Sequence, residues 1–486
     1  MEEENHGGKI KQQGQHVYGD QINVAGNLIQ NIVQRLSRRD RWGALVLLLA
    51  ILGIVVWISV KVSIQPPDEE IKYTTYRVAV APFDTQNLNG ESDDIGLDVA
   101  NKVFGRLSIA LADLPTGSGI GLIEPERVGP LDGIWQSRLS FVWRTWGILT
   151  GKPVASSPDE RAKRAAELAE KLGAQIVVYG AIDGTDGDWT VAPEFYVAPE
   201  FYYDDAYELI GVHDLGAPFH VGQGDGRTQI KINEEFAVRM KVLAQIVEGL
   251  TYFAMQDEGG SYYKRALASF ESIENDKDLW GEIDSKHLVN LLIGNTKGKL
   301  GDLVGAVDAF TAALDYDPEY SRAYAGLGSA YYVAALKKDT VGSGSSVDTA
   351  LLSNAINQYE RALDANHQPP RADIEVKVHF GLGQSYLMLG LYKDDGVMDE
   401  SLLEKAMEEF GEVIQVYNGT DNLRIRHLAA ESYARIGLIH RSRGLLMEAR
   451  AAYEQAVKLA VGDPDRREIF KQALTELNND PVAQPE

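Results

Sequence analysis

His213, Asp214 and His220 fall close together in the chain, and these residue types ligate zinc. Their spacing matches no standard ligand motif and both histidines sit in a strand-turn stretch, so coordination is not expected. Asp394, Asp395, Asp399 and Glu400 offer the carboxylates that calcium takes, but without the alternating ligand spacing, which leaves a solvated insertion. Gly147 to Pro153, GILTGKP, has one residue too few between its glycines to cradle a phosphate, and Pro153 stands where a metal-binding hydroxyl is needed. Gly117 to Gly121, GSGIG, precedes a strand instead of joining a strand to a helix, which is the wrong context for a dinucleotide. No serine, histidine and acid arrangement can be read from spacing. The chain has no cysteine, which removes thiol nucleophiles, cysteine zinc sites and disulfides together. The expectation is a protein that is not an enzyme, with no catalytic residue, no cofactor and no metal. The rival is an enzyme with its site in residues 71–235.

What must position any site is therefore an arrangement for binding. The chain has 486 residues, enough for at least two folded units, and its 44% hydrophobic and 24% charged content is globular. Its 47 Lys and Arg against 71 Asp and Glu leave a formal net charge of -24. Nucleic-acid binding is not expected, because that affinity rests on neutralising phosphates with basic residues.

Trp42 to Val60, WGALVLLLAILGIVVWISV, is uncharged and apolar throughout. At about 1.5 Å per residue such a helix crosses a hydrocarbon layer of about 30 Å. Arg35, Arg38, Arg39 and Arg41 precede it, and Lys61 is soon followed by Asp68, Glu69 and Glu70. The positive-inside rule then predicts a single-pass cell-membrane protein with residues 1–41 cytoplasmic, a transmembrane helix over 42–60, and the bulk of the chain extracytoplasmic. An organelle receptor with its repeats facing the cytosol is an alternative. In the tail, Leu28, Ile29, Ile32, Val33 and Leu36 share a helical face, as a membrane-surface segment or a helix-helix seam. Residues 14–27 carry Val17, Ile22 and Val24 around a Gly19-Asp20 turn signal, the pattern of a very short hairpin, with a disordered tail as the other reading. The stretch QQGQHVYGDQINVAG resembles a small amino-terminal tag of bacterial signalling and conflict-system proteins. That resemblance implies a cytoplasmic partner for residues 14–27.

Residues 71–235 read as an α/β (α+β) domain. YRVAVAPF at Tyr76 to Phe83, Ile120 to Glu124 and Gln175 to Ile182 are strands, while Asp94 to Leu111 and Pro158 to Leu172 are helices. Val191 to Tyr196, VAPEFY, is repeated letter for letter at Val197 to Tyr202, and reads as a duplication that extends an edge strand, where Pro193 and Pro199 are tolerated. Gly222 to Gly226 reads as a hairpin turn before a strand at Thr228 to Ile232. The residues Val78 to Phe83, Ile123-Glu124-Pro125 and Leu172 to Gly180 resemble bacterial α/β modules of the Tol-system periplasmic protein and the curli-secretion lipoproteins, in which the position of Gln175 is commonly acidic. That implies a non-catalytic assembly or sensing domain.

From 246 to 478 the period is helical and a pattern recurs: Ala254, Ala266, Phe270 and Ile273; Gly294, Ala306, Phe310 and Ala313; Gly437, Ala449, Tyr453 and Ala456. Gly328, Ala355, Tyr359 and Ala362, and Gly383, Ala406, Phe410 and Val413, repeat it with insertions. Offsets of four and seven place the alanine, the aromatic and the last apolar residue on one face of a second helix, and the small residue lets that helix approach the first. One such pair cannot bury its face, whereas a stack can. With Leu327-Gly328 and Tyr331, Leu382-Gly383 and Tyr386, and Pro318, the pattern resembles the tetratricopeptide repeat (TPR) family, about five repeats and a capping helix at Asp465 to Leu477. The resemblance implies an all-α superhelical solenoid whose first helices line a concave groove for a protein or peptide. By position the groove would include Asn295, Lys299, Arg322, Ser329, Tyr332, Lys377, Gln384, Glu431 and Arg441. Leu291 stands where a chaperone-tail clamp needs lysine, so that ligand is not expected. The whole reads as a membrane-anchored scaffold or sensor, in bacterial signalling or a conflict system, that binds its partner through the repeats.

Overall fold

Strand β1, Tyr76–Val80, begins an α/β layer in which alternate side chains serve opposite faces. This computed structural model describes residues 76–86, 92–112, 120–125, 157–185, 188–199, 207–222, 234–255, 260–336, 347–365, 374–391, 398–418, 423–461 and 463–478. The remaining strands are β2 (Asp84–Gln86), β3 (Ile120–Ile123), β4 (Ile176–Thr185), β5 (Asp188–Val197), β6 (Gly211–Asp214) and β7 (Phe219–Gly222). They form a seven-stranded sheet ordered β3-β1-β4-β5-β6, with β2 also on β4 and β7 also on β5. β3, β1, β2 and β4 pair in parallel; β5 runs antiparallel to β4, β6 and β7. The parallel part needs crossover helices, whereas two residues suffice to return from β4 to β5.

One face of the sheet, with Val78, Val80, Ile176, Val178 and Phe195, packs on helix α1, Ser92–Ala112, and on α3, Glu234–Met255. The other face, with Ala79, Val177 and Tyr179, packs on Ala165 and Ala169 of α2, Pro158–Leu172. Helix α2 starts where Ser157 and Glu160 form a reciprocal capping box with Pro158 in the first turn, and it stops at Gly173, whose φ of 57° only glycine adopts cheaply. Gln175, in the position where the resembled modules are acidic, is buried: its side chain accepts from the Arg77 amide and donates to the Gly173 carbonyl, pinning β1 to the end of α2.

The duplicated VAPEFY corrects one expectation, because β5 is not an edge strand. β7 pairs with it over Asp188–Val191 and β6 over Glu194–Val197, so Pro193 falls in the gap between them and its missing N–H costs no ladder bond on that side. The second copy leaves the strand after Val197, and residues 200–206 lie outside the described residues. So do residues 223–233, with the expected strand at Thr228 to Ile232.

The helical region follows as pairs: α3 with α4 (Ser261–Asn275), then the short α5 (Lys277–Glu282), α6 (Lys286–Lys299) with α7 (Leu303–Tyr316), α8 (Ser321–Leu336) with α9 (Thr349–Asp364), α10 (Ile374–Leu391) with α11 (Glu400–Asn418), α12 (Leu423–Ser442) with α13 (Leu446–Leu459), and α14 (Pro464–Asn478) as the cap. Phe310 and Tyr359, on second helices, each lie between two first helices. A Cβ added at Gly294 or at Gly326 would stand 2.6 Å from the Phe310 ring, and one at Gly328 or Gly381 would meet Tyr359 at 2.7 or 2.4 Å. In the first pair Gly249 also lies against Phe270, where a Cβ would approach to 2.2 Å. The connection from Met255 to Ser261 is longer than in the uninterrupted repeats α6–α7 and α12–α13, and α4 begins further ahead of its alanine, Ala266.

Helix α3 belongs to both halves of the molecule. Phe236, Met240 and Leu243 join the sheet's core and Val247, Leu250 and Phe253 continue into the repeats, in one continuous set of buried side chains. Lys72–Glu486 is accordingly one compact unit.

The single transmembrane helix of the expected fold class, and the cell-membrane localisation drawn from it, are corrected. Among the described residues no helix is long and apolar enough to cross a membrane. The longest of them, α3, has 22 residues but carries Glu234, Glu235, Arg239, Lys241 and Glu248, and it packs its apolar sides on protein. Residues 1–75, including 42–60 and 14–27, lie outside the described residues.

Candidate protein-binding groove

The first helices α6, α8 and α10 stand side by side, and a short 3-10 turn at Tyr207–Leu209 touches all three. That turn and the start of β6 come from the α/β domain, far earlier in the chain. Arg322, in the first turn of α8 and 3% exposed, donates to the carbonyls of Glu208 at 2.7 Å, Ile210 at 2.6 Å and Val212 at 3.3 Å. A guanidinium fork with five donors suits this row of carbonyls in a way an ammonium does not. Lys377, at the same position one repeat later, pairs with the Glu208 carboxylate, which is 1% exposed. The second Glu208 oxygen has no hydrogen-bond partner among the described residues.

The other residues expected in the groove divide by position. Ser329 lies 3.2 Å from the Tyr359 hydroxyl, itself buried near Glu208. Tyr332 and Gln384 are half-buried on α8 and α10, and burial pushes the Tyr332 phenol up, with the Arg435 charge opposing. Asn295 donates to the Leu291 carbonyl at 3.0 Å along its own helix, and Lys299 ends that helix. Glu431 accepts from Arg466 at 3.0 Å and Arg441 lies 3.4 Å from Glu476, so both tie α12 to the capping helix α14. Leu291 is fully buried. Arg322 and Lys377 are thus brought together on one segment of the same chain, Ser329 lies beside them, and Glu431 and Arg441 sit at the far end.

Between β6 and the repeats is a cavity of about 10 Å³ lined by Val212, His213, Asp214, His287, Tyr320 and Arg322. That is room for one water, not for a substrate. Burial pushes the His287 imidazole down, with Asp214 and Asp317 opposing. His213 stacks on Phe195 at 5.1 Å and lies 2.9 Å from the Leu209 carbonyl, while exposed His220 pairs elsewhere along β5, opposite Thr190. Among the described residues no group of His, Asp and Glu could hold a metal. Asp399 accepts from the amides of Ser401 and Leu402 at the start of α11, and Glu400 lies 2.7 Å from Arg443; Asp394 and Asp395 are outside the described residues. GILTGKP also falls outside them, and GSGIG runs into β3.

A titrating pair joins α10 to α11. His379 of α10 and Glu409 of α11 are 2.7 Å apart, and that hydrogen bond, with the Glu409, Glu412 and Glu375 charges, raises the imidazole above its usual 6.5 against burial. A raised folded-state value means the stabilisation is complete below the unfolded value and is lost as pH rises through the folded one. The melting-temperature advantage of wild type over His379→Gln should therefore shrink as pH rises above the usual imidazole value of 6.5. An advantage that does not change with rising pH contradicts this assignment.

Residues 291–337 match the tetratricopeptide repeat family. Solved structures similar to this chain include TTC0263, a thermophilic TPR protein of Thermus thermophilus, at 21% identity, covering 48% of this chain and 99% of that one with a TM-score of 0.34. A structure of MamA is similar at 19% identity, 42% and 95% coverage and a TM-score of 0.27. No curated protein matches the chain. The match covers residues 291–337, and helix pairs outside that stretch repeat the same packing of a glycine against an aromatic ring.

Proposed function

We propose that this protein is a scaffold that holds a segment of a partner protein along the face of its first helices, and that it does no chemistry. The observation that carries the reading is that Arg322 and Lys377 already hold a peptide segment there, by its carbonyls and by one carboxylate. The face continues past that segment through Tyr332 and Gln384 towards Glu431 and Arg441, with Asn295 and Lys299 at its other end. Partner residues that are acidic or apolar suit a surface of arginine, lysine and tyrosine on a chain with net charge -24. A role in signalling or a conflict system rests on the resemblance of residues 14–27 alone, and capture of like-tagged proteins that is lost on Ile22→Asp with Val24→Asp is its test.

Tyrosine at a groove centre is a residue type whose truncation costs about 2 kcal/mol or more when it anchors a partner. Tyr332→Ala should weaken binding of a partner, recovered by crosslinking and mass spectrometry, at least tenfold. Val304→Ala, on the second helix α7 at 75% exposure, should leave it unchanged. Equal effects of the two would falsify the groove assignment.

A further inference from the structure

The sheet and the repeats meet along a seam that two buried arginines hold by carbonyls. Arg322 of α8 takes those of Glu208, Ile210 and Val212. Arg239 of α3 takes that of Leu215 and pairs at 3.2 Å with Asp284, just ahead of α6. A guanidinium is not deprotonated in proteins, so neither clamp titrates. Beside Arg322 lies an imidazole, which does. His287, the second residue of α6, lines the water-sized cavity with Val212, Asp214 and Arg322, and the Tyr320 ring meets its ring edge-on at 4.7 Å. Its place disfavours a charged ring in three ways. It is largely withdrawn from solvent, it stands in the first turn of a helix, where the macrodipole opposes cations, and a guanidinium lines the same cavity. Asp214 of β6 and Asp317 at the end of α7 pull the other way, but burial prevails and pushes the imidazole below its usual 6.5. The other groups around it are engaged or neutral. His213 lies against the Leu209 carbonyl, Glu208 pairs with Lys377, Lys286 stands over the Trp280 and Tyr316 rings, and burial pushes the Tyr320 phenol up.

We propose that His287 makes this seam an acid-sensitive part of the molecule: the neutral ring lets β6 pack on the first turns of α6 and α8, and a proton taken up there weakens that packing. The sign follows from linkage. A group whose folded value is lowered gives its full stabilisation above the unfolded value, and that stabilisation is lost as pH falls below 6.5. The His379 and Glu409 pair has the opposite sign, so the same acid leaves the link between α10 and α11 at full strength. His440 shares the sign of His287, but it stands at the end of α12 in the last repeat. Mild acid therefore loosens the seam between sheet and repeats while sparing the middle of the solenoid. The seam responds whether or not the groove holds a partner.

The test follows hydrogen exchange of the full chain over a series of pH values, each rate divided by the intrinsic rate at that pH. Protection at Val212 and His213 in β6, and at Leu288 and Val289 in the first turn of α6, should fall as pH drops below 6.5. Uptake of one proton limits the fall to about tenfold per pH unit. Protection across α10 and α11 should not fall with it. In His287→Gln, whose side chain does not titrate, the fall at the seam should disappear. Seam protection that holds in the wild type as pH drops, or that falls no further than protection across α10 and α11, overturns the proposal without any variant. A fall of the same size in His287→Gln overturns it too, since another group then takes up the proton.

Discussion

Phe310→Ala is expected to lower the unfolding free energy by about 3–5 kcal/mol, the range for removing a buried aromatic ring. The ring is 3% exposed and lies between Gly294 of its own repeat and Gly326 of the next, each close enough that a Cβ would collide with it. Removing it opens a cavity shared by two first helices, which rigid helix pairs cannot close by collapse. Because each repeat contacts mainly its neighbours, the loss propagates to the α8–α9 pair and lowers cooperativity as well as stability. Urea unfolding followed by far-ultraviolet circular dichroism measures both. A loss below about 1 kcal/mol would show that the repeats do not depend on this ring.

The repeats were legible because their packing repeats. A small residue, an alanine, an aromatic and a small apolar residue recur at fixed offsets, and Gly294, Phe310, Gly328, Tyr359, Gly383 and Phe410 pack as that spacing requires. Where the spacing changes without an obvious insertion the pattern is incomplete: ahead of the lengthened join between α3 and α4, Gly249 closely approaches Phe270 and the repeated offsets did not single it out. The junction between the two halves was harder to read, since α3 has the period of a solenoid helix yet also covers the sheet. Its near-continuous burial, from Phe236 to Phe253, is the trace of that double duty. VAPEFY misled for a related reason, because proline signals an edge unless the neighbouring strands leave a gap, and such a gap is a property of the whole sheet.

The groove shows the same division. Family position brought Arg322 and Lys377 to one surface, because one repeat separates them. Nothing in the residues around Tyr207-Glu208-Leu209 announced that this turn lies against them. The contacts span 114 and 169 positions, far beyond any periodic signal. A single glutamate in a polar stretch reads as solvated surface. Trp42 to Val60 has the hydropathy for a membrane span and lies outside the described residues, among which no helix has the length and apolarity to cross.

Arg322→Ala is the second large effect, and it separates a residue waiting for a partner from one already engaged. A groove arginine that meets only solvent can be truncated with a change within about 0.5 kcal/mol. Arg322 is buried, and its removal strips the carbonyls of Glu208, Ile210 and Val212 of a charged donor. Hydrogen bonds to charged groups contribute about 1.5–3 kcal/mol each, and a buried acceptor left unpaired costs about 1–3 kcal/mol. These terms overlap, so the expected loss is about 3–5 kcal/mol, not their sum. Arg322→Lys should recover only part of it, because one ammonium cannot span three carbonyls. The loss should be accompanied by faster hydrogen exchange at Gly211 and Val212, where β6 loses its anchor while keeping its pairing to β5. Thermal unfolding of the two variants beside wild type measures the order Arg, Lys, Ala. If Arg322→Ala melts with the wild type and exchange at β6 is unchanged, the segment is not held by this arginine.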